Sequence, residues 1–180
     1  MEISERIDAW IEGPDKDLRL ALTGFDDYSQ KLITAVDQHW NPSMRMQNME
    51  YFLFLYGAML AIARGYGRKD DYPIGVLGPY VSFFMDWKDS IEWVFECEAA
   101  LKKSLRLQGV LAAGGNTAQA VWTAGTQGRS HELSRDNNMR LLLEIFSELR
   151  KLMSDSTISD EALFGASEVL YDSVIKTKPA

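Results

Sequence analysis

His39, His131 and Cys97 have the strongest claim in this chain to metal or nucleophilic chemistry, and their number and spacing decide against both. Metal sites need close ligand pairs, such as Cys-x-x-Cys or Glu-x-x-His, so that two donors share one helical turn or one tight loop. The two histidines stand far apart, the cysteine is alone, and no Glu-x-x-His occurs. Paired acids lie at Asp26-Asp27 and Asp70-Asp71, each next to a tyrosine. A helix that holds magnesium and a diphosphate repeats its acids three residues on. Asp26-Asp27-Tyr28-Ser29-Gln30 does not, so these pairs read as solvated charge. Gly65-Tyr66-Gly67 lacks the third glycine of a nucleotide loop, and no nucleophile elbow is present. The expectation is a chain without a catalytic residue, a metal or a cofactor, and a function that leans away from enzymes.

Binding chemistry is better represented. Arg64, Arg68 and Lys69 cluster beside Tyr66, Tyr72 and Tyr80. Cations at the C-terminal end of a helix complement its dipole, with Gly65 as the left-handed cap, and the same cluster would meet an anionic small ligand. Asp89, Glu92 and Glu96 are three and four residues apart, which places them on one side of a helix as an acidic stripe. Like charges so placed repel by roughly a few tenths of a kcal/mol per pair. A stripe kept despite that repulsion suits steering of a basic partner. The third candidate is Leu111 to Ser134, which carries no charge before Arg129 and little bulk besides Val121, Trp122 and Leu133. Trp and Arg are favoured interface anchors, and small polar neighbours let a loop adapt around them. Trp122 and Arg129 therefore join the partner-binding candidates, against the plainer reading in which Trp122 is tucked into the core.

Ser130-His131-Glu132-Leu133 resembles, over four residues, the phospho-accepting His-Glu-Leu of sensor histidine kinases. The Arg-Thr-Pro that follows in that family is replaced here by Ser134-Arg135-Asp136, and a chain of 180 residues has no room for the ATP-binding domain. His131 is read instead as a surface histidine near a helix start, and His39 as a dipole partner near a helix end.

A net charge of −7 and an isoelectric point near 4.9 speak against nucleic acid and anionic membranes, since both reward a basic face. A basic protein surface is the better match, and nothing opposes a homo-oligomer. One cysteine permits no internal disulfide and suits a reducing cytoplasm. The N-terminus is acidic where an export signal is basic. The most apolar run, Tyr51 to Ala63, falls short of the ~20 residues that span a bilayer.

These candidates need helices to position them, because apolar spacing of three and four recurs along the chain while strand-like alternation does not. The reading is all-α: a single domain over 1–180, a compact bundle of about six to seven helices around a central apolar helix at about 44–64. A first helix runs from Ser4, its cap, to Glu12, before Gly13-Pro14. A second starts near Asp15, with Leu18, Ala21, Leu22, Phe25, Tyr28, Leu32 and Val36 inward. Ser43 caps the central helix, in which Gly57 and Ala61 offer a groove to a close neighbour. Four glycines and two prolines between Gly65 and Pro79 read as a loop. A long helix from Tyr80 to about Ala113, bent or broken near Asp89-Ser90, has Tyr80, Phe84, Trp87, Ile91, Val94, Leu101 and Leu105 as its seam. Gly114-Gly115 ends it and opens a loop at about 114–134 holding a short weak helix. Two further helices use Met139, Leu142, Leu143, Phe146, Leu149 and Met153, then Leu163, Ala166, Val169, Leu170 and Val174. The expected function is an acidic, non-catalytic module that binds and modulates or neutralises a basic protein, of the immunity, inhibitor, adaptor or chaperone type. The alternative is a small helical enzyme or sensor that takes an anionic ligand at Arg64, Arg68 and Lys69.

Overall fold

A computed structural model describes residues 2–36, 39–69 and 72–126, without the side chains of 28, 31, 32, 35, 36, 72 and 120–126. The described residues form an all-α bundle of seven helices: α1 (Ile3–Ile11), α2 (Lys16–Val36), a 3-10 turn (Pro42–Gln47), α3 (Met49–Gly65), α4 (Tyr72–Val81), α5 (Trp87–Leu101) and α6 (Leu105–Thr126). The expected helices beyond Asn137, His131 and Arg129 lie outside the described residues.

Helix α3 is the centre, as its uncharged circumference requires: Tyr51–Leu55, Gly57–Met59, Ile62 and Ala63 are all buried. Its start differs from expectation. Asn48, not Ser43, is the cap, its side chain accepting from the Tyr51 amide at 2.9 Å, and the residues before it form the separate 3-10 turn capped by Asn41. Likewise α1 begins one residue before Ser4, with Glu2 and Glu5 exchanging the reciprocal bonds of a capping box. The left-handed glycine after α3 is Gly67, at φ +72°, rather than Gly65. The amides of Gly67 and Arg68 donate to the carbonyls of Arg64 and Ala63, which closes the helix end.

The expected loop at 65–79 contains α4. Pro73 sits in its first turn, where the missing N–H has no intrahelical partner to lose, and Val76, Leu77, Tyr80 and Val81 supply a buried face that outweighs the two glycines. The expected long helix from Tyr80 is three pieces. Pro79 lies near the end of α4, and α5 starts anew at Asp86, whose side chain accepts from the Lys88 amide at 3.0 Å. Ser104 then caps α6 by accepting from the Leu107 amide.

Helix α6 runs straight through Gly114-Gly115, which was expected to end it. These glycines serve close approach, not a left-handed turn. A Cβ on Gly114 would lie 1.8 Å from the Phe54 carbonyl oxygen, and one on Gly57 would lie 1.8 Å from that of Leu111. Backbone therefore meets backbone where α3 crosses α6, the most extensive helix pairing in the bundle. The groove expected at Gly57 and Ala61 is filled by this contact, with Gly115 against the same two residues. The expected loop at 114–134 is thus helical as far as Thr126, and Trp122 lies in the backbone of α6.

Candidate functional site

Asp26 carries the densest polar geometry, and it is not solvated. The spacing Leu18, Leu22, Asp26 is one i, i+4 row of α2, so the carboxylate follows two leucines into the core and is fully buried. Four segments converge on it. From the 3-10 turn, Arg45 Nε donates to Oδ1 at 3.1 Å and to Oδ2 at 3.0 Å, while Nη2 donates to Oδ2 at 2.9 Å. The Tyr51 hydroxyl of α3 donates to Oδ1 at 2.6 Å, and the Tyr80 hydroxyl of α4 donates to Oδ2 at 2.5 Å. Gln30, one turn along α2, adds a longer bond at 3.4 Å and is oriented by Trp40, whose indole N–H donates to its Oε1 at 2.7 Å.

Burial pushes both phenols well above their ordinary pKa, and the neighbouring Asp26 charge pushes the same way, so both remain firm donors. Burial works against the Arg45 charge, but Asp26 more than offsets it and the guanidinium is held on. Arg45 also donates from Nη1 to the Pro42 carbonyl at 2.6 Å and lies 4.4 Å over the Phe84 ring. A carboxylate offers about four lone-pair positions, and these donors fill them. Asp26 clamps α2, the turn, α3 and α4 together.

The accessible candidate is the outer face of α5. Asp89, Glu92 and Glu96 are all exposed on it. On the same helix Trp87 and Ile91, which sequence spacing had placed in the seam, are 57% and 40% exposed, and Phe95 is 65% exposed. Val94 meets the core and Leu101 packs against it as expected, but Ser90 and Cys97 join them in place of Trp87 and Ile91, so the helix is rotated from the expected seam. Trp93 fixes that rotation, its indole N–H donating to the Met46 carbonyl at 2.7 Å. Glu98 falls on the seam by spacing, where it needs a partner unless Cys97 and Leu101 rotate inward in its place; the structure shows the second, with Glu98 half-exposed and Cys97 buried. Successive residues turn by about 100°, so the three apolar groups form a slowly winding ridge roughly 12 Å long, with Glu92 and Glu96 further round on one side and Asp89 beyond them, nearly opposite Trp87.

Arg68 Nη2 lies 3.8 Å from both Asp15 and Asp17, so that cation already faces two carboxylates, while Arg64 and Lys69 are exposed. Leu105, the last residue of the expected seam, is exposed. The side chain of Trp122 lies outside the described residues, as do Arg129 and His131. Among the described residues no group of three or more His, Cys, Asp or Glu is placed to hold a metal, and no helix is long and apolar enough to cross a membrane. Burial, with the nearby Glu96 charge, pushes the Cys97 thiol up to about 12, which leaves it inert at neutral pH. Comparison with known families, characterised proteins and solved structures yields no match.

Proposed function

We propose that this protein is a non-catalytic acidic interaction module, of the immunity, inhibitor, adaptor or chaperone type, that docks a basic protein on the outer face of α5. The observation that supports the reading is the pairing of an exposed apolar ridge at Trp87, Ile91 and Phe95 with the exposed stripe Asp89, Glu92 and Glu96. Aromatic side chains bury about 150–250 Å² each, so the exposed fractions leave roughly 300 Å² of apolar surface. At about 25 cal/mol per Å² that is ~7 kcal/mol of gross attraction, against association costs of about 4–15 kcal/mol. The ridge alone makes a weak complex. The acids add steering and selectivity for positive charge, and they disfavour nucleic acid and anionic membranes. Trp122 and Arg129 belong to the same reading as further candidate anchors, and the lone buried Cys97 fits a cytoplasmic setting.

The test is capture on the tagged protein from its native lysate at low and high salt, with mass spectrometry of what is retained. The expected result is a basic protein held at low salt and released at high salt. It should be lost with the triple variant Asp89→Lys, Glu92→Lys, Glu96→Lys and with the double variant Trp87→Ala, Phe95→Ala. Equal retention by both variants would refute the α5 site; loss with Trp122→Ala alone would move it to the end of α6.

A further inference from the structure

We infer that the element received by α5 is an amphipathic helix of the partner, with one apolar stripe and lysines or arginines along one of its flanks; this rests on the binding reading above. The shape of the face selects the occupant. Helix α5 satisfies its own backbone bonds and begins with the Asp86 cap, so it offers no strand edge on which an extended peptide could pair. What it offers is a convex i, i+4 row, Trp87, Ile91 and Phe95, and such a row packs into the groove between rows of a second helix.

Charge then selects the flank. Glu92 and Glu96, both exposed, lie about 60–140° round the helix from Ile91 and Phe95 on one side of the ridge, so the partner's cations must lie to one side of its stripe, which also fixes the register. Lys88 is the sole cation within the helix. A second copy of this chain fits poorly: two α5 helices paired antiparallel about a two-fold axis would set acid stripe against acid stripe, and each chain already carries −7.

The probe is a fluorescein-labelled 18-residue peptide of leucine and lysine with leucines at i, i+3, i+4 and i+7 spacing. It is compared by anisotropy with a scrambled peptide of identical composition, both against the full chain. The amphipathic peptide should bind at least tenfold more tightly than the scrambled one and gain helical circular dichroism. Trp87→Ala with Phe95→Ala should weaken it at least tenfold while leaving Tm within about 3 °C. The triple lysine variant should abolish the salt dependence.

Equal binding of the two peptides would show that charge alone is read, and would overturn the helix proposal. A concentration-dependent dimer in sedimentation that the double variant dissolves would give the face to a second copy. A Tm drop above about 5 °C in the double variant, with no peptide bound, would give it to the chain's own residues. Either result overturns the proposal. If lysate capture still responds to the α5 variants while the amphipathic peptide fails, the partner class falls and the binding reading stands; if capture ignores the α5 variants, the binding reading falls as well.

Discussion

Replacing Asp26 by alanine should cost about 4–7 kcal/mol, and the figure follows from what the carboxylate leaves behind. Arg45 keeps its Pro42 carbonyl and its place over Phe84 but loses its counter-charge, while the buried Tyr51 and Tyr80 hydroxyls lose their acceptors. Breaking a buried ion pair from one side costs about 3–5 kcal/mol, and each orphaned buried donor about 1–3, with overlap between the terms. Against a total of about 5–15 kcal/mol, Asp26→Ala should sit at the edge of folding. Asp26→Asn keeps the volume but points an N–H₂ at donors, and should cost roughly 2–4 kcal/mol. The decisive comparison is the all-apolar set Asp26→Leu, Arg45→Met, Tyr51→Phe, Tyr80→Phe. Removing every member leaves no stranded charge and is often neutral or stabilising, so urea unfolding followed by circular dichroism should show that variant recovering most of the loss. If Asp26→Ala unfolds at the wild-type midpoint, or if the apolar set is as weak as the single variant, charge complementation is not what holds these four segments. A gain in stability on losing Asp26 would mark the carboxylate as strained for a function.

Gly57→Ala and Gly114→Ala should each cost about 3 kcal/mol or more in urea unfolding, because the added Cβ meets backbone and the helices must part. Gly24→Ala, with nothing within 4 Å, should stabilise by roughly 0.5–1 kcal/mol. Met59→Asp should abolish folding, as read by loss of helical circular dichroism, since Met59 is fully buried and a lone charge there has no partner. Raised native pKa values on Cys97, Tyr51 and Tyr80 mean that the folded state keeps protons the unfolded state releases. The contribution of these three groups to stability is therefore level up to about pH 9, where the unfolded thiol ionises, and falls as pH rises further through about 10, where the unfolded phenols follow. Cys97→Ala should flatten the fall between pH 9 and 10 in pH-dependent urea midpoints; an unchanged slope would count against a buried protonated thiol.

Helix α3 was legible because a run apolar on all sides has one place to go, and Gly57 announced a close neighbour. What the sequence hid was rotation and choice between equal patterns. In α5 the rows Trp87, Ile91, Val94, Leu101 and Ser90, Val94, Cys97, Leu101 are both helical stripes, and bulk favoured the first. The second won because Trp93 binds the Met46 carbonyl and turns the helix. Gly114-Gly115 read as a stop because glycine more often caps than packs, and only the position of Phe54 and Gly57 across the crossing distinguishes the two uses. Asp26 was misread for want of its partners: the row Leu18, Leu22, Asp26 pointed inward, but nothing in the order of residues says that Arg45, Tyr51 and Tyr80 meet there.

The two polar features then divide according to what each leaves unsatisfied. At Asp26 every lone pair is taken and the neighbouring ionisable groups are fixed in one state, so the centre can specify how α2, α3 and α4 meet but has nothing to give a ligand. On α5 the position is reversed. Large apolar groups stay in water although Val94 and Cys97 on the same helix reach the core, and acids one turn apart keep their mutual repulsion. Each is a small cost to the isolated chain, and a basic, apolar-striped partner would relieve both together: burial removes the ridge from water, and partner cations turn repulsion into attraction. A merely solvated face would relieve neither. The same change, Trp87→Ala with Phe95→Ala, should therefore leave the free protein as stable as before while weakening the complex, whereas Asp26→Ala should weaken the fold first and binding only as a consequence.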